Sequence, residues 1–256
     1  MFQYLHGTGG GGGSATILYL HGFASGPDSV KGRALEERFA ELGVSFRCID
    51  LTPGAEGFEN STPITMLVEA ERQVAAARPR VLIGSSLGGY LAALVAARQR
   101  EHRRAPVGAC PRTRKRLFAE EAGAPGGAVT VERVVLLAPA FRFYERWRAR
   151  VTPEEEERWR REGLEVQHHA TGRPRRLAWA FMADAAKLPA YPEVRLPSLC
   201  LTGRRDETVP LEDVERFAAA TQGSKLVVLD DGHDLVASIG EIFQEAREFL
   251  RPITGV

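Results

Sequence analysis

Lysine is scarce in this chain. Only Lys31, Lys115, Lys187 and Lys225 occur among the 34 basic residues, leaving 30 arginines, a bias that reads as genome composition before function. Cysteine is scarcer still. Cys48, Cys110 and Cys200 are odd in number, far apart and without a CxxC pair, which argues against a disulfide framework or a zinc site and suits a reducing compartment. Long apolar runs are missing too: "VVLLAPAF" at 134–141 is far short of the ~20 residues that span a bilayer. No excess charge of either sign exists, with 34 basic against 33 acidic residues and a net charge of +1, so no global field draws the protein to nucleic acid or membrane. The first residues lack the basic-then-apolar pattern of a signal peptide. A cytoplasmic protein with a small-molecule partner, no nucleic acid and no membrane is the expectation, with oligomeric state open.

What is present is a large apolar complement. A chain of 256 residues with 44% hydrophobic content can bury a sizeable core as one domain. Six short apolar runs, "TILYL" (16–20), "FRCID" (46–50), "RVLIG" (80–84), "RVVLLA" (133–138), "SLCLTG" (198–203) and "KLVVLD" (225–230), are continuous rather than alternating, as strands covered on both faces are. Between them run helix patterns. Leu35, Phe39 and Leu42 share a stripe, as do Leu211, Val214 and Phe217, and Ile239, Ile242, Phe243, Ala246, Phe249 and Leu250 share another. Thr62 and Pro63 mark a helix start, and Thr152 with Glu155 makes a capping box around Pro153. Strand–helix alternation predicts a mostly parallel sheet of about six or more strands with helices on both faces. Three segments interrupt the rhythm: a Gly-rich flexible stretch at 7–14, an Arg-rich insertion at 98–130, and a cap-like helical insertion at 141–196 above the carboxyl ends of the strands, where ligands bind in such sheets.

Chemistry concentrates at "LIGSSLGGY". Gly84, Ser86 and Gly88 form G-x-S-x-G between a predicted strand and a predicted helix, the context of a nucleophile elbow. The glycines relieve crowding where the backbone doubles back, and positive φ falls on Ser86, the predicted nucleophile. A serine hydroxyl needs a base. Of six histidines, His233 lies in the glycine-containing loop after the last strand, whereas His6, His102, His168 and His169 are expected to be solvent-exposed polar residues. Asp206, in the loop after the preceding strand, is the expected carboxylate partner. Glu207 is its nearest competitor, and Asp230, Asp231 and Asp234 flank the histidine. "YLHG" occurs at 4–7 and 19–22, but only the second copy has a core strand in front. It is expected to shape an oxyanion loop in which the N–H groups of Phe23 and Leu87 serve as donors, with His21 structural. Phe141, Phe143, Tyr144, Trp147 and Trp179 are candidates to line an acyl pocket with Phe23 and Leu87, against ordinary packing as the competing role.

The run "ILYLHGFASGPDSVKG" with "GSSLGGY", "LAPA", "TGRRDETVP" and "DGHDL" resembles the α/β-hydrolase superfamily, and more narrowly the small bacterial YqiA-type esterases. The resemblance implies an α/β-hydrolase fold and hydrolysis of carboxylic esters, of short to medium acyl chains, through Ser86, Asp206 and His233 without cofactor or metal. The insertions at 98–130 and 141–196 depart from the small family. Thioesterase, acyltransferase or peptidase activity on the same three residues is the alternative, and a binding module using the arginines at 98–116 is the lower-ranked one.

Overall fold

The computed structural model describes residues 17–53, 57–104 and 131–256, with residues 99–104 described as helix backbone. Eight strands and eight helices occur among them. A six-stranded sheet contains β1 (Ile17–Leu20), β2 (Phe46–Ile49), β3 (Val81–Ser85), β4 (Arg133–Leu137), β7 (Ser198–Gly203) and β8 (Ser224–Leu229). Each matches a predicted run to within a residue or two, the scatter usual at element ends. The order is β2-β1-β3-β4-β7-β8, and every neighbouring pair is parallel.

Why the runs are continuously apolar is visible in the two cores. Leu18, Leu20, Leu82, Val134, Leu136 and Cys200 face one side, packed by α2 (Pro63–Ala77), α3 (Leu87–Arg104) and α7 (Leu211–Ala220). Ile17, Tyr19, Val81, Ile83, Val135, Leu137, Leu199 and Leu201 face the other, under α1 (Val30–Glu41) and α8 (Ile239–Thr254). Side chains alternate along a strand, so two covered faces leave few polar positions in the central strands. Burying each of these aliphatic side chains contributes about 1.5–3 kcal/mol.

Thr62 caps α2 as expected, in a box whose return partner is Thr65, and the Thr152–Glu155 box opens α5 (Pro153–Glu162). The insertion after β4 carries α4 (Phe143–Arg150), α5, and α6 (Ala180–Ala185). It is not purely helical, however. β5 (Leu164–His168) and β6 (Arg173–Leu177) pair as an antiparallel hairpin. "RPRRL" has one apolar residue and a proline, so it carries no period-2 signal. A two-stranded ribbon is all edge, which is where proline is tolerated.

Two further expectations need amending. α3 continues to Arg104, so the first residues of the supposed 98–130 insertion are helix, and Arg98 pairs with Glu71 of α2 at 3.1 Å. His168 is buried rather than exposed, edge-on to Phe58 with centroids 4.8 Å apart. The Gly-rich stretch at 7–14, His6, the first "YLHG" and the rest of the Arg-rich insertion lie outside the described residues. Among the described residues no helix is long and apolar enough to cross a membrane.

Candidate active site

In chain order the sheet grows outward from β1 to β2, then resumes at β3 on the other side of β1. Such a reversal opens a crevice at the carboxyl ends of β1 and β3, and the loop that carries Phe23 and the turn that carries Ser86 leave from there. The turn from β3 into α3 is tight. Ser86 has φ +53°, a left-handed conformation that non-glycine residues hold only where surroundings impose it. They do so here by backbone. The Ser86 N–H donates to the Leu137 carbonyl at 2.8 Å, and the Ser86 carbonyl accepts from Tyr90 and Ala140, both at 3.0 Å. A β-carbon on Gly84 would lie 2.2 Å from the Gly88 carbonyl oxygen, and one on Gly88 would lie 2.2 Å from that of Leu20. Only glycine lets the elbow close onto itself and onto β1.

His233 arrives in the loop after β8. Its Nε2 lies 2.9 Å from Ser86 Oγ, and its Nδ1 lies 2.8 Å from Asp206 Oδ2. Asp206, in the loop after β7, has a fully buried side chain, and its other oxygen accepts the N–H groups of Thr208 and Val209, each at 2.8 Å. Burial alone would raise its pKa. The hydrogen bond from His233, those two backbone N–H groups and the His233 charge outweigh burial and hold the carboxyl below its ordinary range. Glu207 is exposed and meets Arg150 through its backbone carbonyl. Asp231 is spent on the loop itself, accepting from Gly232 N–H at 2.7 Å and Ser238 N–H at 2.9 Å. Asp230 pairs outward with Arg205 at 3.1 Å.

Leu87 is the first residue of α3, so its N–H is one of those without an intrahelical acceptor. Neither it nor the Phe23 N–H donates to a backbone carbonyl among the described residues. Ala24 follows Phe23 with φ +52°, and its carbonyl accepts the His169 N–H at 2.7 Å, so the hairpin turn of the cap pins this loop. His21 is buried. Its Nε2 accepts the Leu51 N–H at 3.2 Å, and its Nδ1 lies 2.9 Å from the Gly22 carbonyl, which spends both nitrogens on backbone.

A cavity of about 420 Å³ opens beside Ser86 and His233. Phe23 is in its wall, but none of Phe141, Phe143, Tyr144, Trp147 and Trp179 is. Phe141 is wholly buried and stacked on Phe217 at 4.2 Å. Phe143 and Trp147 pack with each other and against Phe181, and Trp147 meets Phe23 edge-on at 5.4 Å. Trp179 lies beneath the Arg160 guanidinium at 4.3 Å, and Tyr144 packs on the core. These rings pack against aromatic and apolar neighbours of the core and the cap. The sequence reading missed what does line it: Tyr19, Ser29, Lys31, Ser85 and His169.

The parallel sheet order, the strained serine at the β3–α3 turn and the loop positions of Asp206 and His233 define an α/β-hydrolase. Residues 61–235 match the family model described as "Serine aminopeptidase, S33", and the chain belongs to that family. Residues 16–103 also match the model described as "Uncharacterised protein family (UPF0227)", over the segment that carries much of the YqiA-type resemblance. No curated protein matches the chain by sequence. Among solved structures, alpha/beta hydrolase domain-containing protein 10 from mouse superposes with TM-score 0.70 at 18% identity, covering 93% of this chain and 90% of that one. Est1E from Butyrivibrio proteoclasticus, with ferulic acid bound, superposes with TM-score 0.70 at 20% identity over 94% and 89%. At such identities the likeness is one of fold.

Proposed function

We propose that the chain is a serine hydrolase of carboxylic esters. One observation carries the proposal: the unbroken hydrogen-bonded relay from Asp206 Oδ2 through His233 to Ser86 Oγ, at 2.8 and 2.9 Å. His233 Nε2 takes the Ser86 proton as Oγ bonds to the ester carbonyl carbon. The negative charge that develops on the carbonyl oxygen is met by the N–H groups of Phe23 and Leu87, each worth ~3 kcal/mol in comparable sites. Collapse breaks the carbon–oxygen bond to the alcohol, which leaves with the proton from His233. Water, deprotonated by the same imidazole, then attacks the acyl-enzyme, and the acid departs as Ser86 recovers its proton. Asp206 stays ionised throughout, holding Nδ1–H and stabilising the imidazolium. No cofactor enters any step.

The aminopeptidase description of the matched family favours a second reading, amide hydrolysis on the same residues. One experiment separates them: steady-state turnover of p-nitrophenyl esters of graded acyl length, a thioester, and amino-acid p-nitroanilides, by wild type and Ser86→Ala in parallel. Ester turnover lost in Ser86→Ala, on the order of 10⁵-fold or more, is the expected result. Turnover near wild type in that variant refutes the assignment of the nucleophile, and a preference for the anilides replaces the ester reading with the amide one.

A further inference from the structure

The wall of the cavity beside Ser86 is apolar over much of its area, as ligand pockets are, but a cluster of polar groups is set into it. Tyr19, Ser25, Ser29 and Ser85 contribute to it, with Lys31 from the first turn of α1 and His169 from the turn of the cap hairpin. The Tyr19 side chain hydrogen-bonds those of Ser29 and Ser85. Lys31, one of the chain's four lysines, is half-buried in the same wall. Its ammonium donates to the backbone carbonyl of Asp234, the residue after His233. It makes no ion pair with a carboxylate among the described residues. An ammonium has three N–H donors, so those beyond the one given to Asp234 can meet a ligand. Burial lowers the Lys31 pKa, against the opposing pull of Asp234, Asp231 and Asp206. A cation desolvated without a bonded counter-ion gains when an anion arrives.

We propose that Lys31 is a specificity-determining residue that binds a carboxylate carried by the ester substrate. The proposal rests on the serine mechanism above and gives it a substrate class: esters bearing one negative charge, in place of neutral esters of plain acyl chains. A single charge fits better than a phosphate dianion because Asp28, paired with Arg33 at 3.2 Å, and Asp234 also line the cavity, and a second negative charge would meet them as repulsion. The compact point charge of lysine accepts a carboxylate from several directions, so the charge is placed on the substrate without choosing between its acyl and alcohol sides.

Matched ester pairs test this. The p-nitrophenyl monoester of succinate is compared with p-nitrophenyl butyrate, and 4-carboxyphenyl acetate with 4-methylphenyl acetate, in wild type, Lys31→Met and Lys31→Arg. The readout is the ratio of kcat/KM for the charged ester over its neutral partner, because any general effect of losing the Asp234 contact cancels in it. Wild type is expected to favour the charged member of at least one pair. Lys31→Met is expected to lower that ratio roughly 10-fold or more, the loss typical of a charge-assisted hydrogen bond, and Lys31→Arg to keep most of it. Should Lys31→Met fail to fold, the wild-type and Lys31→Arg ratios decide. No wild-type preference in either pair, or a ratio unchanged in Lys31→Met, overturns the proposal. Ser86→Ala, assayed alongside, separates the two ideas: its loss of all four turnovers supports the serine mechanism whatever Lys31 does, and its retention of them sinks both.

Discussion

Placing one methyl group at Gly88 should detach the nucleophile from its frame. The β-carbon of Gly88→Ala would stand 2.2 Å from the Leu20 carbonyl oxygen and 2.3 Å from that of His21. Real β-carbons essentially never come within 3.0 Å, so the start of α3 must retreat from the end of β1 by about 0.8 Å. Both obstacles are backbone, and Leu20 belongs to a strand paired on both sides, so the strand cannot yield as a flexible side chain would. Overpacking of this kind costs about 1–3 kcal/mol, and ~2 kcal/mol corresponds to a Tm lower by roughly 4–8 °C in a chain of this size. Because Ser86 and Leu87 immediately precede the displaced residue, Ser86 Oγ and the Leu87 N–H move with it. A displacement near 1 Å costs on the order of 10²-fold in rate. The assay is thermal unfolding together with kcat/KM on a p-nitrophenyl ester, with Gly240→Ala as control. Gly240 lies in the first turn of α8 with open space around it, so an added methyl there should leave stability equal or raised by up to ~1 kcal/mol. Wild-type Tm and turnover in Gly88→Ala would refute the idea that β1 backbone clamps the elbow. A lowered Tm with unchanged turnover of the folded enzyme would refute the link from packing to nucleophile position.

Asp206→Asn should keep the loop, since the amide oxygen can still accept from Thr208 and Val209, yet lose the anion opposite Nδ1. The expected fall in kcat/KM is on the order of 10³–10⁴-fold, milder than for Ser86→Ala, measured on the same ester. The same carboxylate gives a pH signature. Its folded pKa is depressed, so its contribution to stability is fully present above the ordinary carboxylate value of about 4 and is lost as pH falls through the depressed value. Urea titrations of wild type and Asp206→Asn should differ by a constant above about pH 5 and converge in stronger acid, and a gap that widens on acidification would contradict the shift. Asp213→Asn should loosen the cap. Asp213 is buried, with Arg146 at 3.1 Å, Arg142 at 3.3 Å and the Tyr191 hydroxyl at 2.9 Å. Arg146 is itself largely covered, so removing its counter-charge costs about 3–5 kcal/mol, to be read by chemical denaturation. A change under 0.5 kcal/mol would mean that the network is not what ties α4 to α7.

What the chain alone determined was everything set by local pattern. Continuous apolar runs of five or six residues announced strands covered twice, and their alternation with helix stripes announced a parallel sheet. The glycines two residues either side of Ser86 announced a turn that no other residue type could make, and chain order singled out Asp206 and His233. What the tertiary structure alone decided was which side chains meet in the space left over. The hairpin in the cap carried too weak an alternation in "RPRRL" to be legible. His168 is buried because Phe58, more than a hundred positions away, packs against it. None of the five aromatics expected around the substrate lines the cavity beside Ser86, whereas Lys31, from the first turn of α1, does. Periodicity reports which residues are buried. Only the assembled packing of elements far apart in the chain determines what they are buried against.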